Sequence, residues 1–145
     1  MSEQHAASSH LGEMKRVRLR RTRRQVVGPL DQLATRITAK TARLGIIGLG
    51  YVGLPLAVEF ARKGFIVLGI DLDATRVEGV NRGRSYIPDV PGDDLLQLTR
   101  AKRLSATSSV QEVASLDAII MCVPTPLRKT REPDISYIVS AGQAI

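Results

Sequence analysis

The residues of this chain with the clearest chemistry are three glycines and an aspartate. Gly48, Gly50 and Gly53 follow the apolar run Leu44-Gly45-Ile46-Ile47 in the spacing G-x-G-x-x-G, and a helical pattern opens directly behind them. Eighteen residues past Gly53, a second apolar run (Phe65 to Ile70) ends in Asp71. Strand, glycine turn, helix, strand and acid in that order fit a dinucleotide site, and each part has a physical task. Gly48 allows the tight turn out of the strand, Gly50 leaves the backbone open to a pyrophosphate, and Gly53 lets the helix pack close to the sheet. The helix N-terminus offers unpaired N–H groups and the positive end of a dipole to the phosphates. A carboxylate at Asp71 accepts hydrogen bonds from a ribose 2′-hydroxyl and repels a 2′-phosphate, so NAD is expected rather than NADP.

These residues need a βαβ unit to hold them, and the remaining sequence continues the alternation. The spacing predicts a strand over 43–48 and a helix to about residue 63, with Pro55 in its first turn, where a missing N–H costs nothing. Gly64 stands where a C′ glycine belongs, and a second strand follows over 65–70. Asp73 can cap a helix carrying Val77 and Val80, and the stretch from Arg84 to Pro91 links it to a helix over about 93–102. A short strand near Leu104 comes next. Ser109-Val110-Gln111-Glu112 has capping-box spacing and should open another helical turn or two. The run from Asp117 to Val123 reads as a strand buried on both faces. Strands separated by helices, with no hairpin signals, indicate a Rossmann-like, doubly wound parallel α/β sheet. Asp134 then opens a helix with Ile135, Ile138 and Val139 on one side, and the chain ends inside that pattern at Ile145. A complete two-half fold needs further strands, so the sheet is expected to be truncated and the chain to be a piece of a longer protein.

At 145 residues there is room for about one domain. No apolar run approaches the ~20 residues that span a bilayer. A single cysteine excludes an intrachain disulfide and fits a reducing, cytoplasmic compartment. The net charge of +7 is unevenly distributed. Residues 1–43 hold ten Lys/Arg against three acids, whereas the remainder holds eleven of each sign. Residues 1–28, with the run Lys15 to Arg24, therefore read as a disordered basic tail or an overlong translation start. The alternative is an arm that docks an anionic surface, in which case the body would be a stand-alone NAD-binding module. Nucleic acid is not the expected partner, because no aromatics interleave with the arginines. A twin-arginine export signal fits poorly without a following apolar segment. Residues 29–42 form a separate short helix in this reading, with Leu30, Leu33 and Ile37 on one face packed beside the first strand.

Three segments taken together resemble the UDP-glucose/GDP-mannose dehydrogenase family: Gly48-Leu49-Gly50-Tyr51-Val52-Gly53-Leu54-Pro55, Gly69-Ile70-Asp71-Leu72-Asp73 and Cys122-Val123-Pro124-Thr125-Pro126-Leu127. Two more, Asn81-Arg82-Gly83-x-Ser85-Tyr86-Ile87 and Thr130 to Ile138, resemble its UDP-N-acetylglucosamine 6-dehydrogenase branch; the UDP-N-acetylmannosamine branch shares the Pro-Thr-Pro and Glu-Pro-Asp features. The resemblance covers residues 30–145. It implies oxidation of the C6 alcohol of a UDP-sugar to a carboxylate with two NAD⁺, in a whole protein that forms homo-oligomers. It also implies that Tyr51 and Val52 belong to the pyrophosphate loop, that Arg76 lies along the adenosine portion, and that Thr125 touches the cofactor. The family's nucleophilic cysteine and its oxyanion-stabilising lysine and asparagine fall in a later domain. No catalytic residue and no metal ligand is therefore expected here, and the chain alone should not turn over. Cys122, inside an apolar run, is expected to act as a small buried hydrophobe.

Overall fold

Residues 28–126 and 134–144 are described by the computed structural model. The expected basic tail, except Gly28, and the segment 127–133 lie outside the described residues. In chain order the elements are α1 (Pro29–Thr38), β1 (Arg43–Ile47), α2 (Gly53–Arg62), β2 (Ile66–Ile70), α3 (Ala74–Asn81), α4 (Gly92–Arg100), β3 (Leu104–Thr107), a 3-10 helix (Val110–Ser115), β4 (Ala118–Met121) and α5 (Ser136–Ala144). The four strands form one sheet in the order β3-β2-β1-β4, parallel at every pairing. The doubly wound reading is thus correct in topology.

Register explains the core. Leu44 pairs with Val67 and Ala118, and Ile46 with Gly69 and Ile120, so these side chains share one face of the sheet. Helix α2 lies over that face with Leu54, Ala57, Val58 and Ala61 buried, and Leu95 of α4 and Val80 of α3 complete the layer. Full burial of a side chain such as Leu54 or Leu95 contributes roughly 1.5–3 kcal/mol. An Arg62–Asp94 ion pair ties α2 to α4 at the rim. Phe60 meets Phe65 edge to face, 5.9 Å between centroids, where α2 turns into β2. Asp73 caps α3 as expected, accepting from the N–H groups of Thr75 and Arg76. Asn81 closes the outer edge of β3: its amide donates to the Ala106 carbonyl and accepts from the Ala106 N–H. Covering an edge in this way removes a template for strand addition.

Three expectations need correction. Helix α1 forms, but none of its residues is buried, and Leu30 is 82% exposed. Polar links attach it instead: Arg36 pairs with Asp117, which also accepts from the Arg43 N–H, and the Arg36 carbonyl accepts from the Ala42 N–H. Ser109 does not form a capping box. Its hydroxyl donates to the Gln111 side-chain carbonyl, and the element that follows is a 3-10 helix with no side-chain cap. Strand β4 is only half-buried and Met121 is exposed. It pairs with β1 alone, and on the face opposite Leu44 and Ile46 the Leu116 side chain reaches Gly45 beside Ile119.

Candidate cofactor cleft

The carboxyl ends of β1 and β4 diverge at the point where strand order reverses, which is where open α/β sheets bind ligands. A cleft of about 650 Å³ opens there. Its walls are the glycine turn, the end of β2 at Ile70 and Asp71, the segment Cys122–Thr125 behind β4, and Tyr137, Ser140 and Ala141 of α5. Gly48, Gly50, Tyr51, Val52, Asp71, Arg76 and Thr125 all line it. Gly53 does not.

The glycines divide the work by geometry. Gly48 has φ +90°, a conformation costly for any residue with a Cβ, and an added Cβ would stand 2.6 Å from the Cys122 carbonyl. A Cβ on Gly53 would overlap the Gly48 carbonyl, so this glycine sets the distance between α2 and the sheet. At Gly50 an added Cβ would meet nothing within 4 Å, so the space beside this backbone belongs to the cleft. Helix α2 begins without a side-chain cap; the Leu54 N–H donates to the Gly50 carbonyl at 3.1 Å and Pro55 has no N–H, which leaves the N–H groups of residues 50–53 as those a ligand in the cleft could engage. Tyr51 and Val52 are exposed at this mouth.

Asp71 is the one buried charged residue among those described, 9% exposed. Its Oδ2 accepts from the Leu49 N–H at 2.7 Å, its Oδ1 accepts from the Asp73 N–H at 2.9 Å, and Arg76 Nη1 lies 3.4 Å from Oδ2. The carboxylate therefore braces the glycine turn as well as facing the cleft, a role that spacing alone did not reveal. Arg76 is shared, with its Nε 3.5 Å from Asp73 Oδ2. Thr125 is exposed at the opposite lip.

Cys122 departs from its expected burial. It is half-buried, packs against the core and lines the cleft, and its N–H donates to the Ile47 carbonyl at 2.7 Å. Burial pushes its thiol above the ordinary range, which keeps it protonated and poorly nucleophilic. In sequence Tyr86 stands out only as part of the motif Asn81 to Ile87. Its hydroxyl donates to the Leu49 carbonyl at 2.8 Å, behind the glycine turn. A tyrosine so far along the chain gives no local signal of that contact. Leu72, Val110 and Tyr137 also line the cleft unforeseen, because apolar wall residues look like any other apolar residue in sequence.

An uncapped helix N-terminus and an open backbone at Gly50 to donate to a pyrophosphate, with a carboxylate at the end of β2 to accept from a ribose, are what an adenine dinucleotide requires, so the residues present fit NAD. Comparison with known proteins agrees. The NAD binding domain of the UDP-glucose/GDP-mannose dehydrogenase family matches residues 42–145. A UDP-N-acetyl-D-glucosamine 6-dehydrogenase of Pseudomonas aeruginosa is 36% identical over 106 residues, 73% of this chain and 24% of that protein. A UDP-N-acetyl-D-mannosamine dehydrogenase of Yersinia pestis is 35% identical over 102 residues, 70% of this chain and 24% of that one. Among solved structures, a GDP-mannose dehydrogenase of Pseudomonas aeruginosa superposes with a TM-score of 0.67 at 34% identity, over 71% of this chain and 24% of that chain. The chain spans about a quarter of the length of these relatives. It belongs to the UDP-glucose/GDP-mannose dehydrogenase family and carries that family's NAD-binding domain.

Proposed function

We propose that this chain holds NAD for the oxidation of UDP-N-acetylglucosamine at C6 to the uronate, within a whole protein whose catalytic cysteine lies outside these residues. The observation that carries the reading is the open space beside Gly50 at the uncapped start of α2, with Asp71 at the neighbouring strand end. In this reading the N–H groups at the start of α2 hold the pyrophosphate and Asp71 accepts from the adenosine ribose. Gly48 and Gly53 keep the turn tight, and Tyr51 and Val52 flank the phosphates. Arg76 lies along the adenosine, and Thr125 contacts the cofactor from the far lip. Bound NAD supplies a hydride acceptor. The chain's own part is to bind and orient it, and no turnover by this chain alone is expected.

The choice of sugar rests on the segments 81–87 and 130–138, together with the Pseudomonas relative. The Yersinia relative, nearly as similar, supports UDP-N-acetylmannosamine as the rival. The whole protein should be assayed with both sugars. Two NADH formed per UDP-N-acetylglucosamine, with slower turnover of the mannosamine sugar, is the expected result. Preference for UDP-N-acetylmannosamine would transfer the assignment to that branch, and oxidation of neither would remove it.

A further inference from the structure

Leu49 sits between two glycines, where neighbouring side chains restrain the backbone least. It is nevertheless held at three points. Its side chain is fully buried against β2, where a Cβ on Gly69 would come 2.6 Å from Leu49 Cδ2. Its N–H donates to Asp71 Oδ2 at 2.7 Å, and its carbonyl accepts from the Tyr86 hydroxyl at 2.8 Å. Tyr86 arrives from the connection between α3 and α4, and its ring lies against Gly79, where a Cβ would meet Cδ1 at 3.4 Å. Tyr86 does not itself line the cleft.

We propose that Tyr86 is a positioning residue of the cofactor loop. Its phenol and the Asp71 carboxylate grip Leu49 from opposite ends and keep the N–H groups at 50–53 presented to a pyrophosphate. The proposal rests on reading residues 48–53 as the pyrophosphate loop. Burial, with the Asp71 charge adding to it, pushes the Tyr86 hydroxyl up to about 12, so it stays a donor at any physiological pH.

The test is Tyr86→Phe in the 145-residue chain, which keeps the ring and removes the donor. Backbone amide exchange would be measured without ligand, and ADP and adenosine would then be titrated separately. We expect exchange of the bonded loop amides, Leu49 (to Asp71) and Leu54 (to the Gly50 carbonyl), to quicken about three- to tenfold while Val67 and Leu104 in the sheet hold steady. ADP affinity should fall by about the same factor, with adenosine affinity unchanged. Unchanged loop exchange and ADP affinity would overturn the proposal. A uniform quickening across loop and sheet would overturn it too, in favour of a general stabilising role. Wild-type chain that binds no ADP would instead remove the pyrophosphate-loop reading, and with it the role proposed for Tyr86.

Discussion

On the β2 side of β1, the glycine turn is held from several directions: Gly53 against the Gly48 carbonyl, Asp71 on the Leu49 N–H, Tyr86 on the Leu49 carbonyl. On the β4 side, Met121 on the strand and Tyr137, Ile138 and Val139 on α5 are exposed, and β4 is half-buried. The first region is close-packed and preorganised for a ligand, because its partners lie within one βαβ unit and the connection that follows β2. The second meets the cleft with apolar walls and few fixed polar contacts. Affinity for NAD should therefore be set on the β2 side, and substitutions should weigh very differently on the two flanks.

The sharpest way to break this contrast is Gly53→Ala. Its Cβ would overlap backbone, which cannot give way, so the chain should lose roughly 3 kcal/mol or more in urea denaturation. An unaffected midpoint would show that α2 can lift off the sheet and that the turn is not close-packed. Gly50→Ala should behave in the opposite way. Its methyl enters open space, so stability should stay within about 0.5 kcal/mol while the NAD dissociation constant rises about tenfold or more by calorimetry. Together the two alanines separate what the glycines do for the fold from what they do for the ligand.

Asp71→Ala is expected to weaken NAD several-fold and to narrow its advantage over NADP, because the carboxylate no longer repels a 2′-phosphate and Arg76 is freed from one of its partners. Since the Leu49 N–H also loses its acceptor, stability should fall by about 1–3 kcal/mol. Equal NAD affinity in the variant would count against Asp71 as the ribose acid.

Alkaline pH gives a smaller effect. The Tyr86 phenol is raised in the folded chain from 10.0 to about 12, chiefly by burial, so folding favours its protonated form. The stability it contributes is complete below pH 10 and is lost as pH rises through about 12. Tyr86→Phe should lack that component, so its melting temperature should decline less steeply across this window than that of the wild type. Parallel declines would mean that Tyr86 is not held as described. The smallest change is expected on the exposed flank, where Ile135→Ser, at a side chain more than half exposed, should move stability by no more than about 1 kcal/mol. A large loss there would show a packed surface where this account has an open one.

How much of this was legible in sequence follows the same division. The turn at Gly48, the open backbone at Gly50, the close approach at Gly53 and the place of Asp71 at the end of β2 could be read, because each is demanded by local geometry within one βαβ unit. The Asp73 cap could be read for the same reason, and the parallel sheet followed from strands spaced by helices. Tyr86 could not be read as a brace, because its partner is 37 residues away. Asp71's second task was hidden because a carboxylate in sequence does not declare which of its oxygens is already engaged. The burial expected for β4 and α1 failed for a physical reason. An apolar stripe specifies that a face can be covered, and whether it is covered depends on elements elsewhere in the fold.

The central claim is that this cleft holds NAD by its glycine turn and rejects NADP through Asp71. An NMR titration of the ¹⁵N-labelled 145-residue chain with NAD⁺ and then NADP⁺ tests it most directly. Saturable shifts clustered at residues 48–53 and 71–76, with NADP⁺ binding at least about tenfold more weakly, are the predicted result. Shifts confined elsewhere, or equal affinity for the two cofactors, would contradict it.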